Sequence, residues 1–244
     1  MPQRADIALV DRGFFESRAK ARAAIEAGLV RVDGALVRKP SEPLGDDARI
    51  EASAPHPWVS RAGLKLVAGL DHFRVDPTGR ICMDVGSSTG GFTQVLLSRG
   101  AELVYAVDVG RDQLHQTLRA EPRVRVMEST DARSLTRALV PQAPTLVVCD
   151  ASFISLRLVL PTPLDLAAER ADLIALIKPQ FEAGPARVKK GVVRDADVHA
   201  EVCADIRLFL EGQGWHVRGL IPSPIEGGDG NREFLIAATR GEPS

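Results

Sequence analysis

Asp84-Val85-Gly86-Ser87-Ser88-Thr89-Gly90-Gly91-Phe92 closes the apolar run Ile81–Val85 and leads into Phe92–Ser98, which has helical spacing. Glycines at a strand-to-helix turn let the backbone approach a ligand, and the first N–H groups of the helix are left without partners. The turn is not G-x-G-x-x-G, because Ser88 stands at the middle glycine position, and this weakens a nicotinamide-binding reading. Asp108 closes the next apolar run, 24 residues after Asp84, where an acid can accept hydrogen bonds from ribose hydroxyls. Asp131 follows the third run and is placed to meet an adenine amino group. The expected cofactor set is therefore Asp84, Gly86, Ser87, Ser88, Gly90, Gly91, Phe92, Asp108 and Asp131.

Working outward, Ile81–Val85, Leu103–Val107, Val124–Met127, Leu146–Cys149 and Leu173–Ile177 read as buried strands. Helix-like stretches alternate with them: Phe92–Ser98, Asp112–Arg119, Leu156–Ala168 and Val198–Leu210. Such alternation means βαβ units, hence an α/β fold with a Rossmann-like parallel sheet covered on both faces. The end differs. Trp215–Ile221 and Glu233–Thr239 have only a short Gly/Pro/Asp connection between them, so they should be antiparallel. A parallel sheet closed by a terminal antiparallel pair is more typical of class I methyltransferases than of dehydrogenases. Asp150 and Lys178 each follow a strand and are aimed at the crevice beyond the carboxyl ends, where Gly86 also lies.

Upstream, Ser53-Ala54-Pro55-His56-Pro57 marks a break, because two prolines bar regular structure. The expected organisation is a small α+β domain over 1–53, a linker over 54–59 and the catalytic fold over 60–244. In the small domain, Ser17 is a plausible N-cap for a helix through Glu26, with Gly28 just past its end. Asp33-Gly34 joins Val30–Val32 to Ala35–Val37 as a hairpin. Arg12, Arg18, Lys20, Arg22, Arg31, Arg38 and Lys39 decorate this unit, with few acids between Arg18 and Arg22. A solvated face would look similar, but contact with RNA phosphates is the better use of such a unit.

At this point the chain resembles the hemolysin A/TlyA family, S4-domain ribosomal RNA 2′-O-methyltransferases related to the FtsJ/RrmJ group. The resemblance rests on Gly86–Phe92 with Ser87, on Ser152 after Asp150, and on Lys178-Pro179-Gln180-Phe181-Glu182. It extends to Ser60–Leu66, Lys190–Asp195 and Asn231–Phe234, and Arg4–Lys39 is similar to an S4 RNA-binding domain. It implies a Lys-Asp-Lys-Glu catalytic set on Lys65, Asp150, Lys178 and Glu233, and S-adenosylmethionine as cofactor. Lys65 is otherwise one more basic residue on a helix. Asp131 stands where these relatives more often have Asn.

The implied reaction moves a methyl group to a ribose 2′-hydroxyl, with cytidine in 16S or 23S rRNA as the expected target. By resemblance Lys178 is the base or the stabiliser of developing alkoxide, and Asp150 orients it. Lys65 and Glu233 would hold the nucleotide. Arg4, Arg12, Arg18, Lys20, Arg22, Arg38 and Lys39 would hold ribosomal RNA or a ribosomal subunit. Competing readings are a methyltransferase of another RNA target, a non-catalytic RNA-binding module, and a pore-forming hemolysin.

Composition bounds these readings. Lys+Arg number 31 against 32 Asp+Glu, so the chain has no uniformly basic coat. A hydrophobic content of 45% supplies a core without disulfide staples. Cys82, Cys149 and Cys203 show no metal-binding spacing, and no metal is expected. A signal peptide is not expected, and no stretch approaches roughly 18 apolar residues, so a cytoplasmic protein with no membrane partner is expected. A monomer is expected as well.

Overall fold

The computed structural model describes residues 2–227 and 230–241. The chain divides between Pro57 and Trp58 into two compact units. Trp58 and Val59, expected in a linker, pack against the core of the second unit.

In the first unit, helices Ala5–Asp11 and Arg18–Glu26 enclose Ala8, Leu9, Ala21, Ala24 and Ile25. The Ser17 hydroxyl accepts from the Lys20 N–H, which satisfies one of the free donors at the helix start. Val30–Val32 pairs antiparallel with both Ala35–Leu36 and Ile50–Ala52. Asp33 and Gly34 take φ of 51° and 81°, the left-handed pair a two-residue hairpin requires.

The second unit is built on a seven-stranded sheet, numbered here within that unit. Its strands are β1 Ile81–Val85, β2 Leu103–Val107, β3 Val124–Met127, β4 Leu146–Cys149, β5 Ala171–Ile177, β6 His216–Pro222 and β7 Phe234–Arg240. The order across the sheet is β6-β7-β5-β4-β1-β2-β3. Only β7 runs against the rest, inserted between β5 and β6. Each face carries its own core. Met83, Val85, Val147 and Ile177 point into one, and Cys82, Val104, Val148 and Ile174 into the other. That two-sided burial is why the inner strands β1, β2, β4 and β5 read as nearly continuous apolar runs. It also pushes the Cys82 and Cys149 thiols up to about 12, so they are packing groups.

Two helical expectations need correction. The stretch 112–119 is helical only over Gln116–Arg119. The Glu128 carboxylate accepts from the N–H groups of Asp112, Gln113 and Leu114 and holds them in a loop. Burial alone would raise this carboxyl, yet the donors and the Arg119 guanidinium bring it down to about 2. The stretch 156–168 breaks into Leu156–Val159 and Pro161–Leu166, because Pro161 lacks the N–H needed to continue the first helix. The connection between β6 and β7 includes Gly228 and Asp229, which lie outside the described residues.

Helix α1 (Ala62–Phe73) buries Lys65, Leu66, Gly69, Leu70 and Phe73, and helix α2 (Gly91–Ser98) follows the glycine turn. Gly90 has φ of 97°, and a Cβ there would lie 2.2 Å from Leu118 Cδ1. Gly79 has φ of 66° with nothing within 4 Å of such a Cβ. Gly79→Ala should therefore cost backbone strain alone, about 1 kcal/mol, whereas Gly90→Ala adds overpacking, for roughly 2–4 kcal/mol. Urea unfolding of the two variants measures the difference; equal losses would remove the Leu118 contact as a constraint.

Candidate active site

The crevice opens where the chain leaves β1 and β4, the point at which successive strands diverge. The Gly86 and Ser87 N–H groups donate to the Val107 carbonyl, and Asp150 N–H donates to Val85. Gly86 has φ of 81°, and a Cβ on it would lie 2.8 Å from Ala151 Cα. The glycine thus lets the ends of β1 and β4 close together, leaving Ser88 and Asp150 at one mouth.

Two cavities meet there, sharing Gly86, Ser88, Asp150 and Ser152. The first, about 390 Å³, is lined further by Lys65, Ser87, Gly91, Phe92 and Lys178. The second, about 470 Å³, carries Asp108, Gln113, Asp131 and Phe153. At the end of β2, Asp108 accepts from Ser88 N–H at 2.8 Å and from Gly110 N–H at 2.7 Å. Asp131 accepts from the backbone and guanidinium of Arg133, which hold its carboxyl below the usual range. The Ser87 hydroxyl is buried with no hydrogen-bond partner among the described residues.

Lys178 follows β5 and is 7% exposed. Its Nζ lies 2.7 Å from Asp150 Oδ1, and its aligned hydrogen bonds go to the Asp150 carbonyl (3.1 Å) and Ser152 Oγ (2.8 Å). Lys65 Nζ lies 2.5 Å from Glu233 Oε2, with both residues buried. The antiparallel insertion of β7 explains how Glu233 arrives. Ile177 pairs with Phe234, so Lys178, leaving β5, and Glu233, entering β7, flank the same end of the sheet.

Not every expected residue faces a cavity. Asp84 lies beneath the turn, fully buried, with Oδ2 accepting from the Thr93 hydroxyl at 2.6 Å and Oδ1 without a partner among the described residues. Gly90 shapes the turn against Leu118 and lines neither cavity, and Glu233 sits behind Lys65. Sequence reading missed Ser60, Arg61, Gln113 and Thr93. Arg61 stands one helical turn before Lys65, a spacing that could have flagged it; Gln113 left no signal.

In the first unit the expected gap in acids is filled by tertiary structure. Arg4, Arg18 and Arg22 all converge on the buried Asp6 carboxylate, and together they hold it far below the usual range. Lys20 pairs with Glu16 at 2.5 Å. Arg12 donates to the carbonyls of Gly45 and Ala48. Arg38 and Lys39 are exposed and give their backbone N–H groups to Glu42. The three arginines around Asp6 remain half-exposed, so their outer N–H groups are open to solvent. No group of three or more metal-ligating side chains is gathered among the described residues, and none of their helices is long and apolar enough to cross a membrane.

An FtsJ-like methyltransferase family model matches residues 58–240, and an S4 domain model matches residues 3–50. The candidate rRNA methyltransferase YqxC of Bacillus subtilis is 46% identical over 237 residues, covering 96% of this chain and 84% of that one. The 16S/23S rRNA (cytidine-2′-O)-methyltransferase TlyA of Mycobacterium tuberculosis is 43% identical over 236 residues, covering 96% and 88%. A solved candidate hemolysin from Streptococcus thermophilus superposes with a TM-score of 0.78 at 39% identity, covering 99% of this chain and 89% of that one.

Burial pushes the Asp84 carboxyl up to about 7, reinforced by the charges of Asp150 and Asp108 and opposed by Thr93. The unfolded chain releases this proton near pH 4, so between about pH 4 and 7 the folded state binds more protons. Stability should therefore fall as pH rises through that window. Asp84→Asn keeps an acceptor for Thr93 and should flatten this part of the curve, as read by urea unfolding at several pH values. A difference between wild type and variant that does not change with pH would place the carboxyl in its ordinary range.

Proposed function

The chain belongs to the FtsJ-like methyltransferases, and from that premise we propose that it methylates a ribose 2′-hydroxyl of cytidine in 16S or 23S ribosomal RNA, using S-adenosylmethionine. The observation that carries this reading is the pairing of Lys178 with Asp150 beside the Lys65–Glu233 pair, at the mouth of the glycine turn. The name of the mycobacterial relative supplies the nucleotide and the RNA. By this reading the protein works in the cytoplasm, on rRNA or a ribosomal subunit.

The cofactor fits the residues present. Asp108 would hold the ribose hydroxyls, Asp131 would face the adenine end, and the unpartnered Ser87 hydroxyl offers a polar contact at the turn. Gly86, Ser88, Gly91 and Phe92 would form the wall against it. When bound, the cofactor supplies a methyl group already activated on a sulfonium. The chain's own task is then to align the 2′-oxygen and deal with its proton. Lys178, fixed by Asp150 and Ser152, would sit at that oxygen and, in its neutral form after losing a proton to solvent, take the proton of the 2′-hydroxyl as the methyl is transferred. Lys65, fixed by Glu233, would hold the ribose from the other side. Arg4, Arg12, Arg18, Lys20, Arg22, Arg38 and Lys39 would contact phosphates and position the RNA without reading its sequence.

Asp108→Ala should weaken S-adenosylmethionine binding about 10–150-fold, the loss of hydrogen bonds to a charged acceptor worth roughly 1.5–3 kcal/mol. Calorimetry with unchanged affinity would remove Asp108 from the site.

Lys178→Ala should abolish methyl transfer while cofactor and RNA affinities stay within a few-fold. Lys178→Arg should fail too, because a guanidinium stays protonated and cannot take a proton. Single-turnover transfer to rRNA, with the 2′-O-methyl position mapped, reads both. Substantial activity in the arginine variant would make Lys178 an electrostatic clamp, and methylation on a base would overturn the ribose assignment.

A further inference from the structure

Between Lys178 and helix α3 (Ala196–Gly212) lies a second group of cations that the proposed chemistry leaves unused. After a short turn at Pro185–Arg187, Lys189 and Val192 exchange both backbone hydrogen bonds, each 3.0 Å. Lys190 and Gly191 between them take φ of 50° and 79°. This is a two-residue hairpin whose first left-handed position, normally Asn, Asp or Gly, is filled by a lysine.

The hairpin is fastened at its base. Buried Asn231 donates from Nδ2 to the Gly191 carbonyl at 2.9 Å and accepts at Oδ1 from Val193 N–H at 3.3 Å. His199 Nε2 lies 2.9 Å from the Val193 carbonyl oxygen, and its ring packs edge-on against Phe234. The segment anchoring the hairpin, Asn231–Phe234, is the one that carries Glu233.

Beside the hairpin a cavity of about 440 Å³ is lined by Arg187, Lys189, Arg194 and Asp195. Arg187 is committed to Glu201 at 2.6 Å, and Asp195 caps α3 by accepting from Asp197 N–H. Lys189, Lys190 and Arg194 are exposed, and no ion pair engages them among the described residues. Three uncompensated charges within six residues stand out against Arg4, Arg18 and Arg22, which share one carboxylate. A chain of net charge −1 can hold a polyanion only at such local concentrations of charge.

We propose that the 189–194 hairpin is a clamp for RNA phosphodiesters flanking the target nucleotide, held in register with Glu233 by Asn231. The proposal rests on the rRNA reading above for the identity of the polyanion. Lys189, Lys190 and Arg194 each neutralise one phosphate, and Asn231 is a positioning residue.

The test uses the full-length protein carrying Lys189→Gln, Lys190→Gln and Arg194→Gln together. Binding and methyl transfer are measured on protein-free 16S and 23S rRNA transcripts across a salt series. RNA affinity should fall at least 10-fold, and the slope of log K against log salt should become shallower by about 2–3, from three lost phosphate contacts. S-adenosylmethionine affinity and the rate at saturating RNA should hold. Asn231→Ala keeps the cations and should instead lower the saturating rate, with a smaller effect on KM. Wild-type RNA affinity and salt slope in the triple variant would overturn the clamp. A defect seen only with assembled subunits would overturn it in favour of a ribosomal-protein contact. A wild-type protein that transfers no methyl, yet loses RNA affinity and salt slope in the triple variant, would overturn the functional reading and leave the clamp standing.

Discussion

Two lysines sit inside the catalytic unit, each facing one carboxylate, and the rest of that unit is arranged around making those two encounters. Taking a charged group out of water costs several kcal/mol unless a partner and further hydrogen bonds replace the solvent. Lys178 has Asp150 Oδ1, a carbonyl and Ser152 around it; Lys65 has Glu233. The partners come from distant parts of the chain, with 168 residues separating Lys65 from Glu233. A parallel sheet gathers the ends of its strands along one edge, which brings Asp150 and Lys178 together. It cannot deliver the beginning of a strand to that edge. The single antiparallel strand, β7, does this for Glu233.

The same device recurs in the small unit with the signs exchanged. One buried carboxylate, Asp6, orders three arginines from different places in the chain. The Asp6 carboxylate offsets part of the arginines' field, so their attraction for a phosphate is smaller than three free cations would have. In return their guanidinium planes are fixed before any ligand arrives, which lowers the ordering entropy on binding. Fixed forks suit shape recognition of a folded RNA better than long-range attraction does.

How much of this was legible depended on whether the cause was local. β1 to β4 fall on the residues expected from the sequence: β1, β2 and β4 because inner strands covered on both faces are almost wholly apolar, and edge strand β3 because its apolar residues flank the exposed Arg125. The Ser17 cap and the Asp33-Gly34 turn were legible for the same reason: each is satisfied within a few residues. The helix expected at 112–119 was lost to Glu128, a group across the loop that no local pattern announces. Asp6 is likewise silent in sequence, twelve residues before Arg18. Asp150 and Lys178 could be placed from strand ends, whereas Lys65 and Glu233 entered only through family resemblance. Their pairing is a fact of tertiary structure.

The glycine turn carries a related lesson about what a motif encodes. Gly86 and Gly90 serve the chain's own packing, against Ala151 and Leu118, as directly as they could serve a ligand. The positions left to meet a ligand are their neighbours Ser87 and Ser88, together with Asp108, which already holds the Ser88 N–H. A carboxylate bonded to the turn it faces keeps the turn's donors satisfied while no ligand competes for it. Glycine spacing therefore identifies the place where a cofactor can lie close, and the residues between the glycines determine which one.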